Sequence, residues 1–179
     1  MSDYLIAILI GWFSAQSIKF FAATYRSRRL KFRWLWRSGG LPSSHSAIIA
    51  ALATGVGLVD GFDSSTFTIA LVLALVVIYD AIGVRRAAGI NSQAILGLHK
   101  DKSKLPEGFK VVLGHRPIEM ISGVVLGVTT ALAVSYKGSY ILIFLGVIAI
   151  EAFLSIKYYH KLPELLDSEA EKYAKQPKK

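Results

Sequence analysis

Hydrophobic residues along this chain gather in long unbroken blocks, separated by shorter polar or charged intervals. Five blocks stand out, approximately Tyr4–Tyr25, Ser46–Gly61, Thr66–Val84, Ile118–Tyr136 and Tyr140–Tyr159. A helix that crosses a bilayer needs roughly 20 residues, and about 17 is the lower limit. The second block falls short of that range, so it reads as tilted or partly re-entrant. In hydrocarbon every backbone N–H and C=O must find its partner within the chain, which makes blocks of this kind helices. The expected fold is therefore all-α, a polytopic helical membrane protein of about five transmembrane helices in one bundle. Residues 1–162 make up that bundle, and 163–179 form a charged tail that reads as helical from about Glu164.

The intervals differ in charge, and the difference alternates. Six basic residues and no acid lie from Arg26 to Arg37, and seven basic residues lie from Arg85 to Arg116 against Asp101 and Glu107. The tail from Lys157 onward adds six more. The other two turns hold only Asp63, beside Asp60, and Lys137. The positive-inside rule then places the basic loops and the C-terminus in the cytoplasm and the N-terminus outside. Composition agrees with a membrane protein, at 53% hydrophobic residues and a mean hydropathy of +0.47. The net charge of +9 is mostly this topology signal, with attraction to anionic membrane lipids as a second effect. It does not indicate nucleic acid, because no soluble basic domain is present to bind it. The first block lacks a basic n-region and a small-residue cleavage site, so it is expected to remain as a helix. Cysteine is absent, which excludes disulfide and thiolate chemistry. His99 and His160 stand alone and no Cys/His cluster exists, so neither a metal nor a cofactor is expected.

A few polar residues interrupt the apolar blocks. Gln16 and Lys19 lie one turn apart on one face of the first, and Lys19 either snorkels to the interface or faces the bundle interior. The loop after it alternates Arg or Lys with Leu, Phe, Trp34 and Trp36, the pattern of an interfacial segment. Asp80 ends the third block and needs a partner, with Lys19 or a neighbouring arginine as candidates. Glu151 sits inside the fifth without a local partner, and either pairs across the bundle or lies close enough to the interface to be hydrated. Ala87 to Leu113 is the longest polar stretch and reads as a loop, with a short helix over Ile90–His99.

Two stretches combine helix starts with chemistry. Gly39 to Ala47 reads Gly-Gly-Leu-Pro-Ser-Ser-His-Ser-Ala. Pro42 stops a helix from arriving from upstream, and Ser43 or Ser44 caps the apolar run that follows. Ser43, Ser44 and His45 then stand at a helix N-terminus, where free N–H groups favour an anion. Gly114 to Gly123 reads Gly-His-Arg-Pro-Ile-Glu-Met-Ile-Ser-Gly. Pro117 suits a first helical turn, which puts His115 near the cap. Glu119 lies four residues later on the same side, where a carboxylate can fix the imidazole tautomer and raise its nucleophilicity. Its plainer role is to complement the helix dipole. Two histidines, two serines and several cations around one anion-favouring cavity suit phosphoryl transfer through a phosphohistidine.

Pro42-Ser43-Ser44-His45-Ser46 resembles the Pro-Ser-Gly-His motif of the type 2 phosphatidic acid phosphatase superfamily. His115-x-Pro117-x-Glu119, followed by Gly123 and Leu126-Gly127, resembles its third motif, a nucleophilic His four residues before an Asp. Tyr79-Asp80-Ala-Ile-Gly-Val-Arg85-Arg86 completes the set found in a small divergent branch, the acid phosphatase/vanadium-dependent haloperoxidase-related membrane proteins. The resemblance spans roughly Gln16 to Gly127. It implies His115 as nucleophile, Glu119 as its orienting carboxylate, His45 as general acid, and Ser43 and Ser44 as phosphate contacts. The chain departs from the pattern in four places. Ser44 replaces Gly and Glu119 replaces Asp; Phe109 stands where an Arg is expected; and Lys19 and Arg37 are too far apart for the first motif. The cations around phosphate therefore come from among Lys19, Arg37, Arg85, Arg86, Lys110 and Arg116.

The leading expectation is a metal-independent membrane phosphatase acting on a lipid or prenyl phosphate at the cytoplasmic face. The alternative is a non-catalytic membrane protein that binds or transports a phosphorylated lipid or anion, and behind it stands a structural or assembly factor. Haloperoxidase activity does not fit a chain with no sign of secretion. The oligomeric state is open.

Overall fold

The computed structural model describes residues 2–28, 30, 32, 40–84, 87–92 and 116–174, with side chains as far as residue 161. Arg37, Arg85, Arg86, Lys110 and His115 lie outside the described residues, as do Trp34, Trp36 and most of the loop that precedes the second motif. The described chain forms five long helices: α1 (Asp3–Ser27), α2 (Ser44–Asp60), α3 (Ser65–Ile82), α4 (Pro117–Ser135) and α5 (Ile141–Ala174). A short helical stretch, 87–92, follows α3. Four of the helices are long and apolar enough to cross a membrane, and α2, at 17 residues, is the shorter fifth.

Local chemistry sets the starts of α2, α3 and α4. Ser43 caps α2 by accepting the Ser46 N–H, and Ser64 caps α3 by accepting the Phe67 N–H at 3.1 Å. Pro117 opens α4 at a position whose N–H would have no partner in any case. Gly61, at φ 93°, ends α2, and Lys137 and Gly138, at φ 47° and 91°, turn the chain from α4 into α5.

α2 is central and packs on α1, α3 and most extensively α4, while α5 lies against α1 and α4. The α2–α4 crossing is glycine-tight. A Cβ on Gly127 would meet the Ala50 Cβ and the Ala51 nitrogen at 2.9 Å and collide with the Ala47 carbonyl. One turn earlier, a Cβ on Gly123 would collide with the Ser43 carbonyl. Without a hydrophobic drive between helices in lipid, small residues that let backbones approach are what hold such a bundle together. α1 follows the same rule, burying Ala7, Gly11, Ala15, Ala22 and Ala23.

α5 does not end at Pro163. It runs from Ile141 to Ala174 as one helix, so the charged tail expected as a separate segment begins as its continuation. Proline removes the N–H that would bond the carbonyl four residues earlier. Here that carbonyl belongs to Tyr159, and the Arg26 guanidinium of α1 donates to it instead.

Candidate active site

α2 and α4 lie side by side with their starts in contact at the same end of the bundle. The Ser43 N–H donates to the Glu119 carbonyl at 2.8 Å, joining the first motif to the second directly through backbone. Before α2 the chain passes through Gly40 and a cis Leu41–Pro42 peptide. Gly40 has φ 97°, and a Cβ there would collide with the Tyr159 hydroxyl. The same hypothetical Cβ lies 3.6 Å from Lys19 Cδ, so Gly40 sits between α1 and α5.

Lys19 faces the interior. It is 1% exposed, and its Nζ donates to Ser44 Oγ at 3.2 Å. Gln16, one turn earlier, is buried as well. Snorkelling is excluded, and Asp80 is half-buried at the end of α3. Lys19 has three N–H donors, and Ser44 uses one of them. Ser43 Oγ accepts the Ser46 N–H at 3.3 Å and the Ser46 hydroxyl at 3.0 Å. A hydroxyl has two acceptor sites and one donor, so the Ser43 proton remains to be given. The cap and the phosphate contact expected of Ser43 are compatible on one oxygen.

Glu119 occupies the third position of α4 and is 5% exposed. Tyr158 of α5 donates its hydroxyl to Oε1. Oε2 is buried and completes no hydrogen bond among the described residues, although the N–H groups of Gly40 and Arg116 lie close to the carboxylate. Lys19 and Arg116 both interact with it electrostatically. The carboxylate complements the positive end of α4. The start of α2, beside Lys19, Ser43 and Ser44, is left to favour an external anion.

The structure thus brings Lys19, Ser43, Ser44, Glu119 and the half-buried Arg116 together at one end of the bundle. His45 stands at the second position of α2 with its side chain exposed, while Ser44 and Ser46 on either side of it turn inward.

Several contributors from α5 escaped the reading of the sequence. Ser155 Oγ donates to the Leu41 carbonyl at 2.8 Å, and Glu151 accepts from Ser122 Oγ of α4. With Tyr158 on Glu119 and Tyr159 under Gly40, residues 151, 155, 158 and 159 make one polar row along an apolar helix. The signal was present as i, i+4, i+7, i+8 spacing. Glu151, which had no local partner in sequence, belongs to that row.

No solved structure matches the chain. The Uncharacterized membrane protein YuiD of Bacillus subtilis (strain 168) is 37% identical over 147 residues, covering 74% of this chain and 93% of that protein. This likeness and the apolar helices make the chain an integral membrane protein. A family model described as the Divergent PAP2 family matches residues 1–130, which take in α1 to α3, both motifs and the glycines of α4 that pack on α2. The protein belongs to the Divergent PAP2 family.

Proposed function

We propose that this protein is a metal-independent phosphatase that hydrolyses a lipid or prenyl phosphate at the cytoplasmic leaflet through a phosphohistidine. The observation that carries the reading is the buried Lys19–Ser44 contact at the start of α2, beside Glu119 on the abutting start of α4. A buried ammonium and two hydroxyls at a helix N-terminus provide hydrogen-bond donors suited to the non-bridging oxygens of a phosphate.

In this reading a ring nitrogen of His115, bonded in sequence to Arg116, attacks phosphorus. An N–P bond forms as the P–O bond to the leaving alcohol breaks, and His45 gives the alkoxide its proton. Water then attacks the phosphohistidine, releasing inorganic phosphate and returning the proton to His45. Glu119 orients His115: Tyr158 holds Oε1, and Oε2 is the acceptor left for the imidazole N–H. Lys19 and Arg116 balance the charge, together with Arg37, Arg85, Arg86 and Lys110 where these reach the phosphate.

The exposure of His45 favours a second reading, in which the same donors bind a phosphorylated lipid or anion without hydrolysing it. Purified protein in detergent with EDTA, assayed for phosphate release over a panel of lipid phosphates and for orthovanadate binding, separates the two. Release that survives EDTA, with vanadate inhibition, is expected. Vanadate binding without release from any substrate would select the second reading.

A further inference from the structure

Residues 40–43 precede α2 and belong to no helix, yet Leu41, Pro42 and Ser43 are buried. Backbone groups buried outside a helix need partners from elsewhere in the fold, and hydrocarbon supplies none. Two of them are held by different helices. The Ser43 N–H donates to the Glu119 carbonyl of α4, and the Leu41 carbonyl accepts from Ser155 Oγ of α5 at 2.8 Å. Between them Pro42 has no N–H to add. One residue further on, Lys19 of α1 donates to Ser44 Oγ. Helices α1, α4 and α5 thus each fix one point of the stretch that opens α2.

The hold from α5 lies outside the family match, because α5 begins at Ile141 and the matched residues end at 130. Ser155 is 0% exposed. A serine inside a membrane helix can turn its hydroxyl back to the carbonyl of its own preceding turn. Ser155 gives its single O–H proton to Leu41 instead. Contacts on either side keep α5 in the register this needs. Ser122 of α4 donates to Glu151 one turn before, Tyr158 reaches Glu119 one turn after, and the Tyr159 hydroxyl fills the space a side chain at position 40 would take.

We propose that Ser155 is a positioning residue for the anion site: by holding the Leu41 carbonyl it fixes residues 40–43, and with them the N–H groups and hydroxyls at the start of α2. That those groups take a phosphate rests on the proposed function. That Ser155 fixes them rests on the contacts alone. Hydrogen bonds to an oxyanion weaken quickly with displacement, so donors on a segment free to shift bind it less well. Ser155→Ala leaves a carbonyl buried and unpaired, and the segment relieves that cost by moving.

The experiment uses the full chain in detergent, with orthovanadate as the probe. Hydrogen exchange of the Ser43, Ser46 and Ala47 amides, all hydrogen-bonded here, is followed without ligand. Ser155→Ala should lower orthovanadate affinity about tenfold, within the cost of an unpaired buried carbonyl. It should also speed exchange at those amides more than in the rest of α2. Ser155→Cys, close in size and a weaker donor, should fall between it and wild type. Val56→Ala, a buried position at the other end of α2, separates stability from positioning. It should lower the unfolding temperature and leave orthovanadate affinity unchanged, with no local excess of exchange at 43–47. Wild-type affinity and exchange in Ser155→Ala, or the same changes in Val56→Ala, would overturn the inference. Locally faster exchange in Ser155→Ala, when the wild type neither binds vanadate nor releases phosphate, would keep the hold of Ser155 on α2 and remove the anion site of the proposed function.

Discussion

α3 and α4 are of similar length, and the more apolar of the two is the less buried. α3 buries only Ala70, Ala74 and Ala81, and Leu75, Val76 and Tyr79 are exposed. α4 carries Pro117, Glu119, Ser122 and two glycines and buries nine positions, Glu119 and Ser122 among them. In water the order would be reversed. In lipid the tails outside are as good a solvent for leucine as another helix is, so large apolar side chains turn outward and small ones bring backbones together. The close approach of α4 to α2 is also what encloses the charged and hydroxyl groups. The candidate site lies where the bundle is tightest, away from its most hydrophobic surface.

The strongest way to break that comparison is to alter size on each helix. Gly127→Leu drives a side chain into the Ala47 carbonyl and the Ala51 nitrogen. It should destabilise by at least about 3 kcal/mol, the upper end of overpacking costs, and yield little folded protein. Leu75→Ala, at a position 58% exposed to lipid, should stay within about 0.5 kcal/mol. Thermal unfolding in detergent, followed by tryptophan fluorescence, measures both. Similar losses from the two would erase the distinction between a packed and a solvated face.

Chemistry tests the α2–α4 side next. His115→Ala should abolish turnover of every substrate, and no phosphoenzyme should be trapped. His45→Ala should cost an alkyl phosphate roughly 10²–10⁴-fold in kcat/KM, the usual worth of a general acid, and a nitrophenyl phosphate much less because phenolate leaves unaided. Equal losses on the two substrates would remove His45 from that role, in keeping with its exposed position.

A smaller effect is expected from the buried cation. Lys19→Met removes a charged donor from Ser44, and such hydrogen bonds are worth about 1.5–3 kcal/mol. Orthovanadate affinity should fall roughly 10–100-fold, as an inhibition series would show. Unchanged affinity would mean that the oxyanion binds away from the start of α2.

The smallest prediction concerns the helix that backs the site. Arg26→Met should destabilise by about 1.5 kcal/mol, the low end for a charged donor, at this part-buried contact. In a Pro163→Ala background the restored N–H of residue 163 supplies the Tyr159 carbonyl, and the Arg26 effect should nearly vanish. A double-mutant cycle on thermal unfolding checks this. An undiminished Arg26 effect would mean that the contact serves something other than the orphaned carbonyl.

Much of the fold was legible along the chain. The five apolar blocks became the five helices with ends moved by a few residues, except that α5 runs on from the block's end at Tyr159 to Ala174, and Ser43 and Pro117 mark the starts of α2 and α4 as their chemistry requires. Of the candidate site, the meeting of the two motif helices and the inclusion of Ser43, Ser44 and Glu119 followed from their matching helix starts. Whether Lys19 faced inward or snorkelled was open, because a single Lys near a helix end is compatible with both. Tyr158 and Ser155 stayed hidden, and Glu151 could be read as pairing across the bundle but without a named partner, because their partners lie elsewhere in the fold, and Pro163 suggested a boundary that the helix passes through.

What the sequence by itself determined was local. Block length makes a helix in lipid, a missing proline N–H or a serine oxygen sets its start, and small residues mark the faces that can approach closely. The tertiary structure alone decided the partners. Lys19 meets Ser44 across 25 residues, Tyr158 meets Glu119 across 39, and Arg26 reaches the Tyr159 carbonyl across 133. Buried polar groups must be satisfied, but the requirement does not name the partner. Which side chain answers it depends on which helices the glycines of α4 and the alanines of α1 allow to touch.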